Sequence, residues 1–266
     1  MKLLSLFDHF ESIATNESLS RATSRREAFA SFGRSVAKAT AVALPVAAFM
    51  KPGYAVAQGS ASNPIDVLNF ALTLEYLEAE FYVMGLDADG LLTGDTRESI
   101  AQISKHETQH VNFLQTAISG AGGDPVEKPT FDFTAGGAFA DVFSNEATFL
   151  ALAQAFEDTG VRAYKGQAAN LLGNDDILTA ALQIHSVEAR HASMVRRIRG
   201  SKGWITNATN TSADEAAAVY AGEDNVMQLG VNAANVTEVS RDQVTEAYDE
   251  PLSKDAVLEI AGLFLA

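Results

Sequence analysis

Four residue types recur in the same order, at nearly the same spacing, in two separate parts of this chain. The first set is Glu75, Tyr82, Glu107 and His110, and the second is Glu157, Tyr164, Glu188 and His191. Each tyrosine follows its glutamate by seven residues, and each histidine follows its glutamate by three. The two glutamates of a set are 32 residues apart in the first and 31 in the second. An internal repeat constrains the fold more than composition does, because each half must build the same supersecondary unit.

That unit is a helical hairpin. Apolar residues at 3.6 spacing run through four segments near 64–87, 96–119, 145–169 and 175–199. Asn63-Pro64 opens the first, with proline at the first helical position. Asp95 with Glu98 gives the second a capping-box start, and Ser144 and Asn174 are expected to cap the third and fourth. Gly200 closes the fourth behind Arg196, Arg197 and Arg199, cations that complement a helix C-terminus. Short loops around Asp89-Gly90 and Gly173-Asn174 join the helices in pairs. Between the pairs, "GAGGDPVEKPTFDFTAGGAFADVF" (120–143) is too long for a turn, and a crossover along a bundle accounts for it. The expected fold is all-α: a four-helix bundle over 58–200, with a long crossover between two helical hairpins. A C-terminal extension, 201–266, is expected to pack on the bundle. It holds a loop-like stretch at 206–215 and an amphipathic helix at Ser253–Leu265.

The repeated groups lie on the apolar stripes. Glu157 shares one with Leu150, Ala153, Val161 and Tyr164, and Glu188 shares one with Ala181, Ile184 and Val195. Ile100, Ile103, Leu114 and Ile118 flank Glu107 and His110, which stand together at i and i+3. Four carboxylates therefore point inward. Unpaired buried charge costs several kcal/mol per ion, and Arg162 and Arg190 are offset from the stripes. Two divalent cations would balance the four carboxylates, and two histidines complete an O/N donor set suited to iron or manganese. Tyr82 and Tyr164 lie two turns from Glu75 and Glu157 on the same faces, where hydrogen bonds to those carboxylates or ordinary core packing are the two readings. The repeat also discards neighbours. Glu78 corresponds to Gly160, Glu80 to Arg162, His106 to Val187 and His185 to Ser104, so these four are expected to lie outside the site.

One Glu from each of two helices, with Glu-x-x-His from each of the other two, resembles the ligand set of the di-iron and di-manganese bundles. Over 63–199, through "LEYLEAEFY", "KHETQHVNFL", "ALAQAFEDTGVRAY" and "IHSVEARHA", the chain resembles the ferritin-like superfamily. The detailed wording is similar to an exported bacterial subgroup, related to the desiccation-related ferritin-like proteins of plants and fungi, whose tail "EAYDEPLSKDAVLEIAGLF" (246–264) also resembles. The resemblance implies that Glu107 and Glu188 bridge two metal ions, that Glu75 with His110 serves one, and that Glu157 with His191 serves the other.

Fold alone does not assign a reaction. The chain has no cysteine, which excludes disulfides, thiolate metal sites and a rubrerythrin-type cysteine-ligated iron. Arg25-Arg26, the apolar run 35–50 and Ala55-Val56-Ala57 read together as an export signal over 1–57, of the twin-arginine type. Export predicts a periplasmic or other extracytoplasmic protein with no stable membrane insertion after processing. Residues 58–266 carry 12 basic against 30 acidic side chains, a balance that repels nucleic acid. The expected partners are metal ions and a small oxidant, and an oligomer is compatible with the fold. Two functions follow: an exported redox protein acting on peroxide, dioxygen or ferrous iron, or a stress-associated structural or metal-holding protein that turns nothing over.

Overall fold

A computed structural model describes residues 63–208 and 214–266 of the chain. The export signal expected over 1–57, residues 58–62 and part of the 206–215 loop lie outside the described residues.

The fold is all-α. Four long helices, α1 (Pro64–Asp87), α2 (Gly94–Gly120), α3 (Glu146–Gln167) and α4 (Asp175–Ile198), form two hairpins, α1 on α2 and α3 on α4. Asn63 caps α1, its side chain accepting from Ile65 N at 3.1 Å. Two caps differ from expectation. Helix α2 starts behind Thr93, so Asp95 sits inside the first turn, where its charge still meets the helix dipole favourably. Asn145 rather than Ser144 caps α3, accepting from Ala147 N at 3.0 Å, while Ser144 Oγ donates to Asp141 O. Asn174 stands at the start of α4 without a side-chain bond. Helix α3 ends two residues early, in a 3-10 turn over Ala168–Leu171.

The link between the hairpins is a crossover that climbs along α1. Asn69 Nδ2 donates to Asp124 O, and Asn69 Oδ1 accepts from Val126 N. Farther along, Tyr76 Oη donates to Val126 O, Lys128 pairs with Glu80, and Phe133 packs on Phe81. Twelve helical residues from 69 to 81 span about 18 Å. The second hairpin therefore enters from the far end of the first, and α3 runs antiparallel to α1.

Residues 201–208 and 214–266 complete the core rather than trail from it. Two short helices, α5 (Arg241–Thr245) and α6 (Lys254–Gly262), and a two-stranded hairpin, β1 (Met227–Gln228) with β2 (Val231–Asn232), lie in this part. Ile205, Val219, Tyr220, Leu252 and Ile260 cover α1 and α3 at Phe70, Leu74, Ala155 and Ala163. Helix α3 is consequently buried on every side from Leu152 to Tyr164. The chain comes closest at Gly166, where a Cβ would lie 1.9 Å from Leu252 O, so only glycine fits there. Arg162, offset from the stripe of Glu157 as expected, turns the other way. It pairs with buried Glu223 at 2.9 Å and donates to the carbonyls of Val219, Ala221 and Glu250. Among the described residues, no helix is long and apolar enough to cross a membrane.

Candidate metal centre

Two apolar clusters divide the bundle core. One gathers Phe81, Ile100, Ile103, Phe149, Phe156 and Val195, and the other Leu72, Leu114, Ile118, Leu171, Ala181 and Ile184. Between them lie the six groups singled out by the repeat. Glu75, Glu107, Glu157 and Glu188 are each 0% exposed, and His191 is 4%. His110 is half-buried.

His110 Nδ1 stands 3.1 Å from Glu75 Oε2, 3.0 Å from Glu107 Oε2 and 3.2 Å from Glu188 Oε1. His191 Nδ1 stands 2.7 Å from Glu107 Oε1 and 3.4 Å from Glu157 Oε2. The six fall into two groups able to hold a metal ion: Glu75, Glu107, His110 and Glu188, and Glu107, Glu157, Glu188 and His191. Within each group, one donor atom per residue lies within 4.8 Å of the others. Glu107 and Glu188 belong to both.

Five atoms of this cluster are buried without a hydrogen-bond partner: Glu107 Oε1, Glu157 Oε2, His191 Nδ1 and both oxygens of Glu188. The 2.7 Å approach of His191 Nδ1 to Glu107 Oε1 thus has the distance of a hydrogen bond but not its direction. Orphaned buried polar atoms each cost about 1–3 kcal/mol. All five lie on residues of the second group, where a cation would satisfy them, so the residues present fit a metal site.

Without a cation, protons must balance the charge. Burial pushes the Glu75 carboxyl up from 4.5 to about 7. Burial, then repulsion from Glu107 and Glu75, holds Glu188 well above the carboxylate range. Burial also raises Glu157. Burial acts on Glu107 in the same direction, but the hydrogen bond from His110 and the close approach of His191 outweigh it and bring Glu107 down to about 2. Burial opposes charge on His191 as well, yet Glu107 and Glu157 raise it to about 10. His110 is raised in the same way by Glu107, Glu188 and Glu75.

Two tyrosines hold the outer carboxylates. Tyr82 Oη donates to Glu157 Oε1, and Tyr164 Oη donates to Glu75 Oε1, each at 2.5 Å. Each tyrosine thus serves the glutamate of the opposite helix, not of its own.

Of the four neighbours expected outside the site, two belong beside it. Glu78 is 3% exposed, and its carboxyl is held well above its usual range by burial and then by Glu188, Glu157, Glu107 and Glu75. Its counterpart in the repeat, Gly160, makes the room. A Cβ there would lie 3.1 Å from Glu188 Oε2 and 3.2 Å from Glu78 Oε1. His106 Nδ1 meets His191 Nε2 at 2.8 Å, and His106 Nε2 meets Gln102 Nε2 at 2.7 Å. A comparison of the two halves by residue type misses both, because each is a place where the halves differ. The signals that could have found them are the i+3 spacing of Glu78 from Glu75, and the position of His106 next to Glu107. Glu80 pairs with the crossover and His185 lies apart from the cluster, as expected.

A cavity of about 620 Å³ opens between α2 and α4 and reaches His110 and His191, with Gln102, His106, Val187 and Arg190 in its walls. None of the four buried glutamates lines it.

No curated protein matches the sequence. The sequence pattern of the ferritin-like domain matches residues 63–201, α1 through α4 and more than half of the chain. The protein belongs to the ferritin-like domain family.

Proposed function

We propose that the cluster holds two divalent metal ions, iron first and manganese as the alternative, and that the protein carries out redox chemistry on peroxide, dioxygen or ferrous iron outside the cytoplasm. In this reading Glu107 and Glu188 would serve both ions, Glu75 with His110 would serve one, and Glu157 with His191 would serve the other. The observation that carries it is the pair of donor groups that have Glu107 and Glu188 in common, with five orphaned atoms on the four residues of the second group. A hard O/N donor set of this kind suits iron or manganese.

When bound, paired ions of these metals give electrons to an O–O bond or take them from ferrous iron. The chain's own residues supply the setting. Tyr82 and Tyr164 orient Glu157 and Glu75, and the two apolar clusters keep water from the carboxylates. The cavity at His110 and His191 favours turnover over a sealed metal-holding site, because it brings a small solute to the imidazole side of the cluster.

Elemental analysis of protein purified from its native compartment, followed by peroxide and ferrous-iron assays on the same sample, tests this reading. About two transition-metal ions per chain, with turnover lost in Glu188→Gln, is the expected result. Metal without turnover would leave the metal-holding protein. No transition metal would sink both. Export by residues 1–57 belongs to the same proposal, and N-terminal sequencing of the mature protein checks it: a soluble cytoplasmic product beginning at Met1 excludes export.

A further inference from the structure

We propose that His106 is a positioning residue for His191, and that it makes the two metal positions unequal. The inference rests on the metal reading above. His191 faces two ways: Nδ1 points to Glu107 and Glu157, and Nε2 points to His106 Nδ1 at 2.8 Å. The two rings lie nearly parallel, 13° apart with centroids at 5.1 Å. An imidazole that ligates a cation through Nδ1 is neutral and carries its proton on Nε2. His106 Nδ1 is the acceptor in place for that proton. His106 must then carry its own proton on Nε2, facing the side-chain amide of Gln102, whose nitrogen stands there at 2.7 Å and must give way to its oxygen, by rotation of the amide, to accept it. Loading one metal position thus sets the tautomers of two histidines and the orientation of one amide, out to the wall of the cavity.

The backing exists in one half of the repeat only. The position that corresponds to His106 is Val187, which lines the same cavity and has no acceptor. His110 is held from its Nδ1 side by three carboxylates, and among the described residues no side chain accepts from its Nε2. The ion served by Glu157 and His191 is therefore bound to a ring fixed from both sides. The ion served by Glu75 and His110 is bound to a ring fixed from one. Water in the cavity is the competing partner for His191 Nε2, and the test must separate it from His106.

Zinc(II), redox-inert and diamagnetic, is the probe. Metal-stripped parent, His106→Leu and His106→Asn are titrated with zinc against a competing chelator, and ring nitrogens are followed by nitrogen-15 NMR. The parent is expected to bind two ions of unequal affinity, with His191 protonated on Nε2 and that proton protected from exchange. His106→Leu should lower the affinity of one ion by about ten- to a hundredfold and leave the other unchanged, with protection lost. His106→Asn, whose side-chain oxygen can accept in place of Nδ1, should recover most of both. Parent-like binding in His106→Leu overturns the inference while the metal reading stands, since water would then suffice. An equal loss at both positions, or no recovery in His106→Asn, also overturns it. A parent that binds no zinc fails the metal reading itself.

Discussion

Tyr82 on α1 donates to Glu157 on α3. The reverse bond, from Tyr164 on α3 to Glu75 on α1, has the same length of 2.5 Å. The exchange follows from direction. In antiparallel helices the residue seven after one glutamate comes level with the other glutamate, and both bonds form at once. Burial, and then the neighbouring carboxylate, push each phenol well above its usual range, so both remain neutral donors.

A double-mutant cycle reads this exchange directly. Tyr82→Phe leaves Glu157 Oε1 without its partner and should cost the metal-free protein about 1–3 kcal/mol in denaturant unfolding. Tyr82→Phe should couple to Glu157→Gln and add independently to Glu75→Gln. Coupling to Glu75 instead would mean that the tyrosines serve their own helices.

Removing charge from Glu107 and from Glu188 should act oppositely on the metal-free protein. Glu107 is lowered to about 2, so its ionised form is favoured by the fold, and Glu107→Gln should destabilise the metal-free state. Glu188 is raised well above 4.5, so Glu188→Gln should leave that state as stable as the parent or more so. Both should weaken metal binding. Thermal melts with and without chelator check this: metal at a thousandfold over its dissociation constant stabilises by about 4 kcal/mol, and both variants should lose much of that gap.

The metal-free protein should lose stability as pH rises. Between 4.5 and about 7 the unfolded chain has released the Glu75 proton while the folded chain keeps it. His191 behaves likewise between 6.5 and about 10. In both windows the folded state holds more protons, so unfolding free energy falls with increasing pH. Metal binding displaces those protons and strengthens over the same range. Chelated samples should therefore melt lower near pH 9 than near pH 5, and the gain from metal should widen toward alkaline pH.

Gly160→Ala offers a separate probe of Glu78. Alanine inside a helix is worth up to about 1 kcal/mol over glycine, so a site with spare room would become more stable. Here the new methyl would crowd Glu188 Oε2 and Glu78 Oε1, at 3.1 and 3.2 Å. The expected outcome is weaker metal binding in a calorimetric titration, relieved when Glu78→Ala is added. A raised melting temperature with unchanged metal affinity would show that the carboxylates give way freely.

Much of this architecture was legible before any coordinates. Long apolar periodicity marked the four helices to within a few residues, and a 24-residue link rich in glycine and aromatics pointed to the crossover. A doubled set of residue types brought Glu75, Glu107, His110, Glu157, Glu188 and His191 to one level of the bundle. Periodicity says which face a side chain takes but not which helix stands opposite, so it leaves open that each tyrosine bonds the glutamate of the other helix. The repeat reports what two halves share. His106 and Glu78 matter where the halves differ, against Val187 and Gly160, and were discarded for that reason. The cap of α3 moved from Ser144 to Asn145 because both residues suit the role and only local geometry chooses.

Neither hairpin holds a complete set of donors. One group takes Glu75, Glu107 and His110 from the first hairpin and Glu188 from the second, and the other takes Glu157, Glu188 and His191 from the second and Glu107 from the first. In time rather than space, this sets an order. Each hairpin is built from local contacts and forms early, whereas the halves dock only after the crossover closes a long loop. A cation that needs both halves gains its full set of ligands after that docking. Interactions absent from the folding transition state change the unfolding rate and leave the folding rate nearly untouched. Metal in this bundle should act as a latch, lengthening the life of the closed state without hastening its formation.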